Sequence, residues 1–237
     1  MFRISCFGFI PHSVFSRIVC STCMTYTTDA IALKYFLFRE YDRVYTLYSR
    51  DFGKIHCIAR GANRIKSKLA AHLEPCVVSH CMVADGKRID TLAQARTYEA
   101  FIQLRMDMAR YCAAMVIIES VDTLIQGSEK DQRIFELMHN ALRSINNVPL
   151  NEVHESSDTH NTAVSFLPFL YKYLLHLLII LGHAPHWQDQ EALRPFIVAS
   201  RGPRDIILTS AVQQCIDNYL ARVLDGKRIT SFELYKS

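Results

Sequence analysis

The decisive stretch of this chain is Gly53-Lys-Ile-His-Cys-Ile-Ala-Arg-Gly-Ala-Asn-Arg-Ile-Lys-Ser-Lys-Leu69, in which a strand-like run passes directly into a loop rich in cations. Residues 34–68 hold nine Lys and Arg against three Asp and Glu, a local charge of +6, although the 237-residue chain carries only +4. The rest of the chain therefore sums to −2. Because the positive charge is concentrated in one segment, we predict that this segment contacts a polyanion.

Apolar and aromatic runs around this stretch have the length of β-strands. They lie at residues 30–38, 44–49, 54–59, 76–83 and 88–95, and turn sequences such as Arg50-Asp-Phe-Gly53 and Asp85-Gly86 separate them. Five antiparallel strands favour a closed barrel over an open sheet, because closure removes the exposed edges. We predict an OB-fold.

From Tyr98 onward the apolar residues change to helical spacing. The pattern predicts helices over residues 101–125, 132–145, 165–181 and 209–224, with Ser165 as the N-cap of the third helix and a polar loop over 151–162. The predicted fold class is α+β. We expect an irregular extension at residues 1–23, upstream of a start at Met24, then an OB-fold nucleic-acid-binding domain at 24–97 and a mainly α-helical domain at 98–237.

The eight cysteines do not predict a metal site. Cys20-Ser-Thr-Cys23 is the only Cys-x-x-Cys pair, and a structural zinc site would need a second one. His183, His186 and Asp189 recur every three residues, but Pro185 interrupts any helix that would align them. Several cysteines lie in apolar runs, so we expect reduced thiols that pack as small hydrophobic groups in a reducing compartment.

Two apolar stretches fall short of membrane signals. Residues 2–19 are interrupted by Pro11, His12 and Arg17, and residues 166–181 are shorter than the roughly 20 residues that span a bilayer. We therefore predict no membrane association and a buried helix at 166–181. The sequence also has no nucleophile elbow, no Gly-x-Gly-x-x-Gly and no phosphate-binding Gly-rich loop, which predicts a protein that is not an enzyme.

Nucleic acid is the polyanion that the pattern favours. Arg60, Arg64, Lys66 and Lys68 crowd one loop with no acid between them, and such cations neutralise backbone phosphates and release counterions. Six rings near these cations are candidates for base stacking, although strand alternation should turn about half of them inward: Tyr35, Phe36, Tyr41, Tyr45, Tyr48 and Phe52.

Several segments resemble the bacterial RecO family of DNA repair proteins. Those similar to its N-terminal domain are Glu40-Tyr-Asp-Arg-Val-Tyr-Thr-Leu47, Phe52-Gly-Lys54, Ala59-Arg-Gly-Ala62, Lys66-Ser-Lys-Leu-Ala70 and Leu73-Glu-Pro75. Later segments are similar more loosely, namely Asp90-Thr-Leu-Ala-Gln-Ala95, Leu104-Arg-Met-Asp107, Leu181-Gly-His-Ala-Pro185 and Ile229-Thr-Ser-Phe232. The resemblance runs from about Met24 to the end of the chain.

The resemblance implies an OB-fold followed by a helical domain, in a cytoplasmic, nucleoid-associated recombination mediator that binds single- and double-stranded DNA and anneals complementary strands. It implies that the protein is not an enzyme and that it helps the recombinase load with RecR, in some cases with RecF, and with the tail of the single-strand DNA-binding protein. The DNA contacts that it implies are Arg43, Lys54, Arg60, Arg64, Lys66 and Lys68.

The chain departs from the family at one point. Many relatives carry a four-cysteine zinc element after the Leu-Gly-x-Ala-Pro segment, whereas this chain has no cysteine between residues 182 and 214. We therefore expect no zinc element and no cofactor. The sequence leaves open one alternative function, an OB-fold module for RNA or the ribosome whose helical domain serves as a docking platform for proteins.

Overall fold

The computed structural model describes residues 24–127, 130–148, 159–185, 193 and 208–236. These residues form the strands β1 (Thr25–Phe38), β2 (Asp42–Ser49), β3 (Gly53–Ala59), β4 (Val77–Ala84) and β5 (Asp90–Ala100). They also form the helices α1 (Ile102–Met106), α2 (Met108–Leu124), α3 (Gln132–Asn146), α4 (Thr159–Ile180), α5 (Ser210–Leu224) and α6 (Thr230–Lys236). A single 3₁₀ turn, Ala70–Leu73, lies between β3 and β4.

The strands close into a barrel in the order β1-β2-β3-β5-β4. All pairs are antiparallel except β3 with β5, which meet in a short parallel register. Because side chains alternate along a strand, every second residue fills the interior, and the buried cluster there includes Tyr45, Leu47, Cys57, Cys81 and Leu92. The predicted α+β fold with a five-stranded barrel of the OB type, followed by helices, is confirmed.

Strand β1 changes partners along its length. Its residues Thr25–Ile31 pair with β4, and its residues from Ala30 to Phe38 pair with β2, with a bulge at residue 33. Beyond Ile31 it is hydrogen-bonded to a strand on one side only, as far as the described residues show. The β1–β2 turn therefore extends past the end of β4, and residues 34–41 are all exposed.

A second core lies between the barrel and the helices. Phe101, Phe135, Phe166 and Tyr171 are among its fully buried aromatic members, and α2 contacts α1, α3, α4 and α6. Barrel residues such as Ile31, Tyr48 and Val78 belong to the same cluster, so the helices cover one outer face of the barrel. Among the described residues, no helix has the length and apolar character needed to cross a membrane.

Three helix predictions were wrong in detail. The helix predicted at 101–125 is divided at Asp107, whose backbone is extended and whose side chain accepts a hydrogen bond from the Arg110 N–H as the N-cap of α2. Helix α4 begins at Thr159, so Ser165 is not its N-cap and residues 159–162 are not loop; residues 151–158 lie outside the described ranges. The sequence did not identify the N-cap of this helix, because several Ser and Thr residues lie nearby and residue type alone does not distinguish among them.

Helix α6 was not predicted, because seven residues are too few to display a helical period. Its two buried residues, Phe232 and Tyr235, lie three positions apart and pack into the helical core. Strand β5 extends to Ala100, three residues beyond the boundary placed at residue 97. The division of the chain into two domains stays a prediction.

Candidate nucleic-acid interface

The loop that follows β3, residues 60–69, is held against the β1–β2 turn; we call it the basic loop. The Gly61 N–H donates a 2.8 Å hydrogen bond to Asp42 Oδ1, and the Asn63 N–H donates a 2.9 Å bond to the Tyr41 carbonyl. Gly61 has a φ of +68°, in the left-handed region that favours glycine. The basic loop is therefore positioned by backbone hydrogen bonds at both residues.

The Arg43 side chain connects the two parts of this surface. Its Nε and Nη2 donate to Asn63 Oδ1 at 3.3 and 3.1 Å, and its guanidinium lies over the Tyr35 ring at 4.5 Å. A guanidinium that lies over a ring and is fixed by two hydrogen bonds is held in place at little further entropic cost. Arg43 therefore lies beside the basic loop, close to the other predicted DNA contacts.

Two more arginines lie on exposed rings. The Arg64 guanidinium is 5.1 Å from the Tyr41 ring centroid, and that of Arg39 is 5.2 Å from Phe38. Within the described part of the chain, no ion pair neutralises these two arginines or the other exposed cations of the basic loop, Arg60, Lys66 and Lys68. The structure thus brings five of the six predicted contacts, all except Lys54, to one end of the barrel.

Lys54 has a different environment and is a correction to the predicted set. Its Nζ lies 2.8 Å from Asp122 Oδ1 and donates to the carbonyls of Asp122 and Ile125 at 2.7 and 2.9 Å. The side chain is 9% exposed. Because two ammonium hydrogens have carbonyl acceptors and the buried charge is paired with Asp122, Lys54 is not available to a phosphate. It joins the barrel to the end of α2.

Half of the six aromatic candidates are exposed. Tyr45 and Tyr48 are buried, and Phe52 is half-buried with its ring 4.3 Å from that of Tyr26. Tyr35, Phe36 and Tyr41 are exposed beside the cations. Leu37, Phe38 and Arg39 lie at the same end of the barrel and were not predicted as site residues; their position next to the hairpin turn was the available signal.

The described cysteines in the barrel behave as apolar groups. Burial raises the pKa of Cys57 and Cys81 to about 12 and that of Cys76 to about 11, which keeps the three thiols protonated. The described ranges contain no group of three residues that could hold a metal ion. Cys20, Cys23, His186 and Asp189 lie outside those ranges, so the predictions about them stay predictions.

Comparison with known proteins points to one family. Residues 24–101 match the family model for the N-terminal part of recombination protein O. The chain is 33% identical over 183 residues to the DNA repair protein RecO of Synechococcus elongatus, which covers 75% of this chain and 63% of that protein. It is 36% identical over 120 residues to the RecO of Desulforamulus reducens, covering 51% and 47%.

A third relative, the RecO of a Thermoanaerobacter species, is 26% identical over 158 residues, covering 67% of this chain and 58% of that protein. The chain thus spans about half to two thirds of the length of the curated relatives that it matches. Residues 24–101 are therefore a RecO-type N-terminal domain, and the chain's resemblance to the RecO family of DNA repair proteins is confirmed.

Proposed function

We propose that this protein is a recombination mediator in DNA repair that binds single- and double-stranded DNA through the basic loop and the adjoining end of the β1–β2 hairpin. The observation that carries the proposal is the group of cations that are exposed, without ion pairs among the described residues, and fixed to one end of the barrel. Lysines and arginines in this state gain affinity by displacing counterions from phosphates. A loop that is already positioned loses little conformational freedom on binding.

Strand annealing follows from the same contacts. Cations that bind phosphates leave the base edges free, and they reduce the repulsion between two strands that approach each other. A surface without base-specific hydrogen bonds can hold a single strand before pairing and the duplex after it. We therefore propose that the protein anneals complementary strands and helps the recombinase load on coated single strands.

The partners are proposed on the family resemblance. We propose RecR, in some cases RecF, and the tail of the single-strand DNA-binding protein as partners of the full protein. Among described residues, the helical domain offers an apolar groove between α3 and α4, lined by Leu137, His176, Ile179 and Ile180 with Arg133 and Glu136 beside them. This groove is a place to test for partner contacts by substitution.

The proposal is tested by fluorescence anisotropy of labelled single- and double-stranded DNA across a salt series. The variant carries Arg64→Ala, Lys66→Ala and Lys68→Ala together. Each phosphate contact contributes about 0.7 to the log-log salt slope on single strands and about 0.9 on duplex, so the triple change should flatten the slope by roughly 2 to 3. Binding should weaken on both kinds of DNA.

The matched control removes three exposed cations from elsewhere on the barrel, Lys87, Arg88 and Arg96. Lys87 and Arg88 lie in the β4–β5 turn, beside the start of β1 and away from its hairpin end. The control should keep the wild-type slope. No binding to DNA at low salt would refute the proposal, whereas equal or stronger binding to RNA strands of the same sequence would favour the RNA or ribosome module.

A further inference from the structure

The end of the β1–β2 hairpin, residues 35–41, carries an unusual amount of exposed apolar surface; we call it the hairpin end. The consecutive residues Tyr35, Phe36, Leu37 and Phe38 are between 36% and 62% exposed. A run of four large apolar residues in solvent lowers solubility, and soluble proteins keep such runs where a partner uses them.

Strand pairing explains the exposure. β1 pairs with β4 only as far as Ile31, so in the described structure its last residues have β2 on one side and no strand on the other. Successive side chains point to opposite faces, which puts Phe36 and Phe38 on one face and Tyr35 and Leu37 on the other. Neither face is covered by the described residues.

The two faces differ in how free their rings are. Tyr35 already lies under the Arg43 guanidinium at 4.5 Å, and its ring is 5.5 Å from that of Tyr45. Phe36 has no ring or cation contact within the described residues, and the guanidinium of the exposed Arg39 lies over one face of the Phe38 ring, at 5.2 Å, which leaves the other face. Phe36 and Phe38 therefore form a pair of available ring faces.

We infer that Phe36 and Phe38 stack on unpaired bases and give this surface a preference for single strands; the inference rests on the proposed function. The surroundings of the two rings identify the occupant. Arg39 lies over the Phe38 ring, and the exposed cations of the basic loop lie beside the same turn, which matches a base next to its phosphates. An apolar peptide or a lipid chain would not need these charges.

Spacing also favours an extended single strand. Residues two apart on a strand are about 6.6–6.8 Å apart, roughly twice the 3.4 Å rise of stacked nucleotides in a duplex strand. Two rings at this spacing can each take the place of a neighbouring base when the strand is pulled open. A duplex hides all its base faces except those at the ends, so it cannot use the rings without unstacking.

The test compares wild type with the variant Phe36→Ala plus Phe38→Ala on three ligands: an oligo-dT strand, the same strand with abasic sites, and a duplex. We expect the variant to bind oligo-dT about 25-fold more weakly, at about 5-fold for each ring, and the duplex less than 2-fold more weakly. The salt slope should not change, because no charge is removed. Wild type should lose a similar factor on the abasic strand, and the variant should not.

Two further variants separate stacking from general surface loss. Ile102→Ala removes a 64% exposed aliphatic side chain from α1, outside the proposed DNA-binding surface, and should leave all three affinities unchanged. Phe36→Tyr with Phe38→Tyr keeps both rings and should restore binding to oligo-dT. Far-UV circular dichroism and urea unfolding verify that each variant is folded.

The outcomes distinguish the two proposals. If the double alanine variant binds oligo-dT as wild type does while the triple charge variant loses binding, the stacking inference is wrong and the DNA-binding proposal stands. Equal losses on single strands and duplex would also contradict the inference, since ring stacking is specific to exposed bases. Failure of wild type to bind any DNA overturns both.

Discussion

Replacing Lys54 by Met should weaken the attachment of the barrel to α2 without weakening DNA binding. The Lys54 ammonium is ion-paired with Asp122 Oδ1 and donates to the carbonyls of Asp122 and Ile125, where α2 ends. Carbonyls at a helix C-terminus lack intrahelical partners and carry the negative end of the helix dipole. Met fills a similar volume but supplies neither the two hydrogen bonds nor the charge of the ion pair.

The size of the effect follows from burial. Removing one partner of a buried ion pair costs about 3–5 kcal/mol. Asp122 retains Lys34, whose Nζ lies 2.7 Å from Asp122 Oδ2, but the Lys34 side chain is 58% exposed and solvent screens this pair. We therefore expect Lys54→Met to lower the free energy of unfolding by about 2–3 kcal/mol and Lys34→Met, the matched control, by less than about 1 kcal/mol.

Urea unfolding followed by circular dichroism measures both values, and its pH dependence gives a second check. Burial acts to raise the pKa of Asp122, but hydrogen bonds from Lys34 and Lys54 outweigh it and lower the pKa below its ordinary value. A lowered pKa stabilises the fold above the unfolded-state value of about 3.9, and this stabilisation is lost as pH falls through the folded-state pKa. The difference between Lys54→Met and wild type should therefore shrink below about pH 4.

Two results would refute this account of Lys54. One is an equal loss of stability in Lys54→Met and Lys34→Met, which would mean that the buried contacts of Lys54 stabilise the fold no more than the exposed ion pair of Lys34 does. The other is unchanged stability together with a DNA salt slope flatter by about 0.7 to 0.9, which would return Lys54 to the phosphate-binding surface.

Three other predictions concern the barrel and its contact with α3. Glu99→Gln should lower the free energy of unfolding by about 1 kcal/mol at pH 7. The Glu99 pKa is lowered chiefly by the hydrogen bond from Arg143, so this loss of stability should vanish in urea titrations below about pH 4. Gly61→Ala should cost about 1–2 kcal/mol in the same assay, because its φ is +68° and the added Cβ meets only ordinary contacts at 3.7 Å. Cys57 and Cys81, with pKa values of about 12, should react with iodoacetamide at pH 8 only after unfolding, as peptide mass spectrometry would show.

The barrel was predictable because its signals are local. Turn residues such as Asp85-Gly86 and alternating apolar residues define strands within a few positions of where they occur, and β2 to β4 lie close to their predicted ranges. The first residues of β1 were missed because Thr25, Thr27, Thr28 and Asp29 are polar, yet they pair with β4. These residues are in a strand because they pair with β4, which is distant in sequence, and no local pattern encodes that pairing.

The site was predictable in part for the same reason. The cations of the basic loop lie close together in sequence, so their clustering in space needs only a short loop. Lys54 is different, because its acceptor at Asp122 is 68 residues away, and a strand lysine facing solvent has the same local sequence as one facing a helix end. Phe38 was missed because its exposure depends on where β4 stops pairing with β1.

Ion pairing divides the nine cations of residues 34–68 into two groups with different roles. Lys34 and Lys54 share Asp122, and Arg50 contacts Asp29 and Glu136 at 3.2 and 3.4 Å, so these three cations hold the barrel to its neighbours. Six of the nine cations are left without ion pairs among the described residues, and all belong to the hairpin end, to its continuation at Arg43 or to the basic loop. These six unpaired cations are gathered where the exposed rings are. A nucleic-acid strand needs both kinds of contact in one place, phosphates against cations and bases against rings, and the described surface has both at this end of the barrel.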